Sequence, residues 1–367
     1  MRIVAAVSRA DLQAPRIEDV ELAEPRDDEV QVRVVAAGIC HTDLRAHAGV
    51  GLPTPRPIVL GHEGAGIVEK VGAAVTHLKP GDHIVMSGSS CGRCPSCLDN
   101  HPSYCTEAIP RTFGGQRRDG SSALSQQGER LHGHFFGQSS FATHAVADAR
   151  GAVSLPADVP LHIAAPLGCG VITGAGAVLC SFGMKPGQSL AVFGTGGVGL
   201  SAVMAARLAG AQHIVAIDPV AARRRLAEEL GATASIDPGS GDVVQALRQG
   251  LPSGVDFCLV TARTPEVFQA AIQVTAMRGV VGFVAAPWEP LPVRLYDLLA
   301  SGRSLRGILG GDANPQVFIP MILEYWRQGR FPIERLITTY PFVRIGEAFQ
   351  AFHETSAIKP VLLLAQP

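Results

Sequence analysis

The chain has 367 residues, 47% of them hydrophobic and 17% charged, which is material for two packed domains and excludes a disordered chain. Lys and Arg number 31 against 32 Asp and Glu, a net charge of −1 without the basic excess of a nucleic-acid binder. Frequent glycine (41) with few aromatics (5%) suits an α/β protein with tight turns.

After Met1 and Arg2, the apolar stretch 3–7 is too short for the core of a secretory signal. Residues 1–165 carry short β-like runs broken by Gly and Pro: RIVAAV, VQVRVVAAG, GAGIVEKVG and DHIVMS. They predict an antiparallel, barrel-like β domain. Residues 106–140 are polar and rich in Gly and Ser, and read as a long ordered loop. From about 170 to 302 strands and helices alternate. SLAVFG leads into the helix VGLSAVMAARLAGA, and HIVAID into AARRRLAEELGA, which stops at Gly231. VDFCLV, the helix PEVFQAAIQVTAM and the strand RGVVGFVA follow. Such alternation predicts a doubly wound parallel sheet. The tail, 303–367, holds the amphipathic helices PQVFIPMILEYWRQG and RIGEAFQAFHET and the strand PVLLLA, and is expected to complete the first domain. The expected division is therefore 1–170 with 303–367, and 171–302. An uncharged run, 188–206, approaches the length of a membrane span. Gly194, Gly196, Gly197 and Gly199 crowd into it, so a glycine-rich turn explains it better. The expectation is a soluble cytoplasmic protein, bound to neither membrane nor nucleic acid.

The eight cysteines divide into groups. Cys91, Cys94, Cys97 and Cys105 form C-x2-C-x2-C-x7-C, with small and turn-forming residues between the sulfurs. Four thiolates complete a tetrahedral zinc shell and leave no open position, so the expected site is structural. A redox CxxC pair would not need the third and fourth cysteines, and the spacing matches neither ferredoxin run. Cys180 and Cys258 lie in apolar surroundings and read as buried core thiols.

Residues 190–199 run from a strand into G-x-G-x-x-G at Gly194, Gly196 and Gly199, with Thr195, Gly197 and Val198 between them. Gly194 permits the turn, Gly196 lets the backbone approach a pyrophosphate, and Gly199 lets the helix pack close. The helix N-terminus supplies N–H groups to phosphates. Asp218 ends the next strand and is placed to accept the adenosine ribose hydroxyls. Its charge would repel a 2′-phosphate, so NAD is expected over NADP.

Cys40 ends a strand, His62 and Glu63 follow in LGHEGAG, and Cys169 precedes the nucleotide fold. Two thiolates, an imidazole and a vacancy would make a catalytic zinc site. Their separation along the chain does not join them, and singly each is as readily core or surface.

Taken together, GICHTD (38–43), GHEGAG (61–66), the cysteine lobe (91–105), GCGVITGAG (168–176), GTGGVG (194–199) and Asp218 resemble the zinc-dependent medium-chain alcohol dehydrogenases over essentially the whole chain. HGHFFGQSSFATHAV (132–146) is similar to the aryl-alcohol (benzyl alcohol) subgroup and its terpene-alcohol relatives. The resemblance implies a GroES-like catalytic domain, a Rossmann domain, NAD and two zinc ions per chain. It implies that Cys40, His62 and Cys169 hold the catalytic zinc and that Glu63 reaches the metal during ligand exchange. Asp43 would steady a ligand imidazole. Thr42 would bind the substrate hydroxyl and start a proton relay. His41 would touch the pyrophosphate, Thr173 and Val198 would line the nicotinamide, and Arg223 and Lys359 would meet the adenosine ribose and phosphates. Ser87, Phe135 and Phe136 would line the substrate pocket, with Ser87 leaving room for a flat, apolar alcohol. Many family members place a relay His where this chain has Arg45, which cannot easily accept a proton. His47 and water are the two alternatives.

The reaction so implied is zinc-assisted oxidation of a primary aromatic or allylic alcohol to its aldehyde, with hydride passing to NAD. A terpene alcohol (geraniol or perillyl type) is one alternative, and glutathione-linked formaldehyde oxidation another, although no basic anion pocket is identifiable. A non-zinc quinone or enoyl reductase usually lacks both cysteine sets. A non-enzymatic nucleotide-binding member would need neither Thr42 nor the Cys40/His62/Cys169 set. A homodimer or homotetramer is expected, with strands near 280–310 pairing across a two-fold axis.

Overall fold

The early β-like runs all form strands in the computed structural model, which describes residues 1–10 and 14–364. They are β1 (Arg2–Ser8), β2 (Arg16–Leu22), β3 (Glu29–Gly38), β4 (Ile58–Val59), β5 (Glu63–Val71) and β6 (His83–Met86), followed by β7 (Leu124–Gln126), β8 (Glu129–Leu131), β9 (His144–Asp148) and β10 (Ala152–Leu155). Short helices interrupt them: α1 (His41–Ala48), α2 (Pro95–Leu98), α3 (Ala108–Phe113) and α4 (Leu161–Ala164). The later part alternates as expected, from α5 (Gly170–Gly176) and β11 (Ser189–Phe193) through α6 (Gly197–Leu208), β12 (His213–Ile217), α7 (Ala221–Leu230), β13 (Ala234–Ile236) and α8 (Val243–Gly250) to β14 (Val255–Val260), α9 (Pro265–Val274), β15 (Thr275–Phe283), α10 (Leu295–Ser301) and β16 (Ser304–Gly307). The chain closes with α11 (Pro315–Arg327), β17 (Ile337–Pro341), α12 (Ile345–His353) and β18 (Lys359–Leu363).

Two units result. The first comprises residues 1–169, 314–321 and 333–367, and the second 170–313 and 322–332. The expected boundary at 302 therefore shifts, because β16 adds in parallel to β15 as the last strand of the second unit's sheet.

In the first unit a five-stranded sheet has the order β4-β1-β2-β7-β8, and a curled seven-stranded sheet runs β10-β6-β5-β3-β18-β17 with β9 also on β3. Val30, Val32, Val34, Ile84, Phe141 and Leu362 are among its buried core residues. The segment 106–140 is more regular than its composition suggests. Leu124 and Leu131 face each other across β7 and β8 and are both buried, which gives that hairpin an apolar anchor.

The second unit has a six-stranded parallel sheet in the order β13-β12-β11-β14-β15-β16. Counted within the unit this is 3-2-1-4-5-6, the doubly wound dinucleotide-binding order. Every residue of β11 is buried, as a central parallel strand requires. The helix expected to reach 277 stops at Val274, because Thr275 turns extended and starts β15. Cys180 is also corrected: it is exposed, at a π-helical turn (Ala177–Ser181) after α5. Cys258 is fully buried, and burial pushes its thiol up to about 12. Among the described residues no single helix is long and apolar enough to cross a membrane.

Candidate catalytic metal centre and dinucleotide turn

Sheet register brings the distant metal-site residues together. β3 and β5 pair antiparallel with Gly38 opposite Glu63, so Cys40, just beyond β3, and His62, just before β5, share one end of the sheet. β18 pairs antiparallel with β3 through Val361 and Gly38, which carries Lys359 to the same end. Gly168 lies against the end of β6: a Cβ there would sit 2.1 Å from the Met86 carbonyl, so only glycine lets the chain carry Cys169 in so closely. Ser87 Oγ donates to the Gly168 carbonyl at 2.7 Å and fixes that approach.

One donor atom each from Cys40, His62, Glu63 and Cys169 lies within 4.8 Å of the others. Asp43 organises the cluster from the start of α1. Its Oδ2 accepts the Cys40 N–H at 3.0 Å, an N-cap contact, while Oδ1 accepts the Gly61 N–H at 3.1 Å and lies 3.0 Å from His62 Nδ1. That leaves Nε2 of the buried His62 without a hydrogen-bond partner. An orphaned imidazole nitrogen facing two thiols and a carboxylate is the donor set a zinc ion needs. The Cys40 thiol is held well below its ordinary value, first by the Cys169 sulfur and then, against burial, by His62. Cys169 moves well above, through Cys40 and burial, so the two neighbouring sulfurs resist ionising together.

Lys359 is a correction. Expected at the adenosine ribose, it is 4% exposed, with Nζ donating to both Glu63 oxygens at 2.9 Å and to the Ile39 carbonyl at 3.1 Å. Burial works against its charge, but Glu63 and then Cys40 outweigh burial and hold the ammonium protonated. Phe135 is a second correction. It is fully buried, 5.6 Å from the His62 ring and 6.2 Å from Phe113, and so belongs to the core behind the site. Phe136 is half-buried and stacks on the His62 ring at 4.2 Å.

On α1, Thr42 Oγ1 lies 3.9 Å from the Cys40 sulfur, and His41 is exposed with its ring 4.4 Å from that of Phe352. His47 Nδ1 lies 2.7 Å from Ser8 Oγ on β1. Five positions separate it from Thr42, about 140° around the helix, so the two share no face for a direct relay. Arg45 is half-buried on the same helix.

The four sulfurs of Cys91, Cys94, Cys97 and Cys105 also lie within 4.8 Å of one another. Backbone amides point at them: Cys91 N–H reaches Cys105 Sγ at 3.2 Å and Cys94 N–H reaches Cys91 Sγ at 3.3 Å. The amides of Thr106 and Cys97 draw the Cys94 thiol down to about 6. Such N–H···S contacts favour thiolates, and the set fits a closed zinc site.

In the second unit, Gly194 turns at φ 94°, and a Cβ on Gly199 would sit 2.0 Å from the Gly194 carbonyl. Gly196 caps α6 without a side chain, and nothing lies within 4 Å of where its Cβ would be. Beside this open, uncapped helix start the buried Thr195 hydroxyl has no partner, so the turn fits a dinucleotide pyrophosphate. Asp218 is 3% exposed and accepts the N–H groups of Thr195 and Val220 at 2.7 and 2.8 Å. Each oxygen keeps a second lone pair for a ribose hydroxyl. Thr173 and Val198 lie on the closely packed α5 and α6: a Cβ on Gly174 would meet the Val198 carbonyl at 2.0 Å. Arg223 is half-buried on α7, and its neighbour Arg224 donates to the Asp218 carbonyl at 2.7 Å.

Sequence reasoning missed Gln138, and it missed the buried cluster of Glu29, Arg117 and His134. No periodicity or spacing marks them. A clue lay in the HFFGQSSF string, whose polar residues sit inside an apolar stretch.

A curled β unit carrying paired metal-ligand sets, with a doubly wound sheet bearing a glycine-rich turn, defines a metal-dependent dinucleotide-linked dehydrogenase. Residues 26–157 match the Alcohol dehydrogenase GroES-like domain, and residues 197–324 match Zinc-binding dehydrogenase. A geraniol dehydrogenase from Castellaniella defragrans is 50% identical over 95% of this chain and 94% of its own. An alcohol dehydrogenase zinc-binding domain protein from Burkholderia ambifaria is 45% identical, with a TM-score of 0.97 over the full length of both chains. Benzyl alcohol dehydrogenase from Acinetobacter calcoaceticus is 37% identical, with a TM-score of 0.96, again over all of both chains. The chain belongs to the zinc-dependent medium-chain alcohol dehydrogenases and is an enzyme of that family.

Proposed function

We propose that this enzyme oxidises a primary aromatic or allylic alcohol to its aldehyde, reversibly, with NAD. The observation that carries the reading is the Cys40/His62/Cys169 cluster with the Phe136 ring beside it and the small Ser87 at the neighbouring strand end. A flat, unsaturated alcohol suits an aromatic shelf better than ethanol does. The similarity to a geraniol dehydrogenase and a benzyl alcohol dehydrogenase supports both substrate types.

Zinc, when bound by Cys40, His62 and Cys169, supplies Lewis acidity that lowers the alcohol pKa. The residues of the chain do the rest. Asp43 holds the His62 tautomer so that Nε2 faces the metal position. Thr42 accepts the substrate proton at Oγ1 and passes it outward, with water as the carrier beyond it. Burial raises the Glu63 carboxyl, and Lys359, bonded to both its oxygens, works against that shift within reach of the ligand cluster. The glycine turn and Asp218 hold the dinucleotide, and the Asp218 charge selects NAD. The edge of β16 and the exposed Leu295, Tyr296 and Leu299 of α10 suit a homodimer or homotetramer, in the cytoplasm.

The test is NADH formation from benzyl alcohol, geraniol, perillyl alcohol and ethanol, with NAD and NADP compared. Strong NAD-dependent turnover of the unsaturated alcohols is expected, with Cys169→Ser inactive but still binding NAD. Protein carrying two zinc ions per chain that oxidises none of them would refute the substrate reading.

A further inference from the structure

We propose that Gln138 is a positioning residue for the metal centre: its side-chain amide clamps the His62 backbone to the Ser87 backbone and so fixes where the His62 imidazole points. Gln138 is 2% exposed. Its Nε2 donates to the His62 carbonyl at 3.0 Å and the Ser87 carbonyl at 3.3 Å, while its Oε1 accepts the Gly64 N–H at 3.1 Å. One side chain thus joins the residues flanking the start of β5 to Ser87, the residue just beyond β6. Ser87 in turn holds Gly168, the neighbour of Cys169, so the clamp links the backbones behind two of the three expected zinc ligands.

The segment around Gln138 is held on an unusual backbone path. His134, Phe136 and Ser139 all have left-handed backbone, with φ of 56°, 55° and 57°. Side-chain-bearing residues rarely adopt that conformation, and they persist there only where surrounding contacts over-determine it. Those contacts are present. His134 meets the buried Glu29, and Ser139 Oγ donates to the Val59 carbonyl at 2.6 Å and accepts the Phe135 N–H at 3.0 Å. The strained path lays the Phe136 ring on one face of His62 while Gln138 holds the backbone behind it. A methionine at 138 would fill the same space and make none of the three hydrogen bonds. A glutamate would keep the acceptor for Gly64 and lose both donations.

The inference rests on the zinc reading of Cys40, His62 and Cys169, so wild-type protein is measured first. Two zinc ions per chain are expected, and one ion alone would refute that reading and the inference with it. Zinc per chain is then followed against rising chelator for wild type, Gln138→Met and Gln138→Glu. Both variants are expected to fall from two ions to one at about tenfold lower chelator, the scale on which groups behind metal ligands act. The cysteine-lobe ion should be retained in all three, and cobalt placed in the catalytic site should show shifted absorption bands in the variants. A merely structural role would lower thermal stability and move neither readout. Phe136→Leu is the second arm, because it removes the ring and leaves the Gln138 hydrogen bonds in place. Wild-type zinc retention and cobalt bands in both Gln138 variants would overturn the proposal. Shifted bands in Phe136→Leu alone would overturn it too, and assign the positioning to the ring.

Discussion

Replacing Glu29 by Gln tests how the strained site segment is anchored. Glu29 is 6% exposed and accepts from Arg117 at 2.8 and 2.7 Å, with His134 Nε2 at 3.1 Å. Burial alone pushes its carboxyl up; His134, Arg117 and the Arg26 amide outweigh burial and hold it at about 2, from an ordinary 4.5. That difference is worth about 3 kcal/mol at most, and about 2 after solvent screening at the adjoining cleft. Glu29→Gln would also leave Arg117 buried without its carboxylate, so the expected loss at pH 7 is about 3 kcal/mol, the low end for breaking a buried pair. The sign follows from the lowered value. The wild-type contribution is complete above the unfolded value of 4.5 and fades as pH falls toward 2. Roughly half or more of the gap between wild type and Glu29→Gln should be gone by pH 3. Taking the difference between the two proteins at each pH cancels metal loss that both suffer in acid. Hydrogen exchange over residues 130–141 reads the segment directly. Trp288 and Trp326 both lie in the second unit, so their fluorescence should stay unchanged and serves as the control. Equal exchange at pH 7, or a gap that does not narrow in acid, would refute the reasoning.

Lys359→Met should cost about 3–5 kcal/mol, because it strands Glu63 in the interior, and adding Glu63→Gln should recover part of that loss; urea unfolding of the two variants and the double variant measures it. An additive double variant would mean the two side chains are not coupled. Cys97→Ser should release one zinc per chain and lower the melting temperature while the second ion stays bound, and a fully stable variant still holding two ions would argue against a structural lobe.

Much of this protein is readable from the chain alone, because local rules govern those parts. The strand–helix alternation after residue 170, the stop at Gly231 and the glycine turn depend on neighbours a few residues apart. The cysteine lobe is equally local: four ligands within fifteen residues meet with little help from the rest of the fold. The catalytic cluster is different. Cys40, His62 and Cys169 were candidates by residue type and by family resemblance, but antiparallel register, with Gly38 opposite Glu63, is what makes them neighbours.

Tertiary structure alone decided the rest, because polar side chains in an interior are assigned by the partners that satisfy them, and those partners lie far away in sequence. Lys359 reads as a surface cation suited to phosphate until β18 delivers it to Glu63, 296 positions away. Phe135 and Phe136 look interchangeable in sequence, yet left-handed backbone at Phe136 alone puts one ring on His62 and the other in the core. Gln138 carries no periodicity or spacing that marks its partners. Its role exists only where two strand ends and one ligand carbonyl come within reach of a single amide.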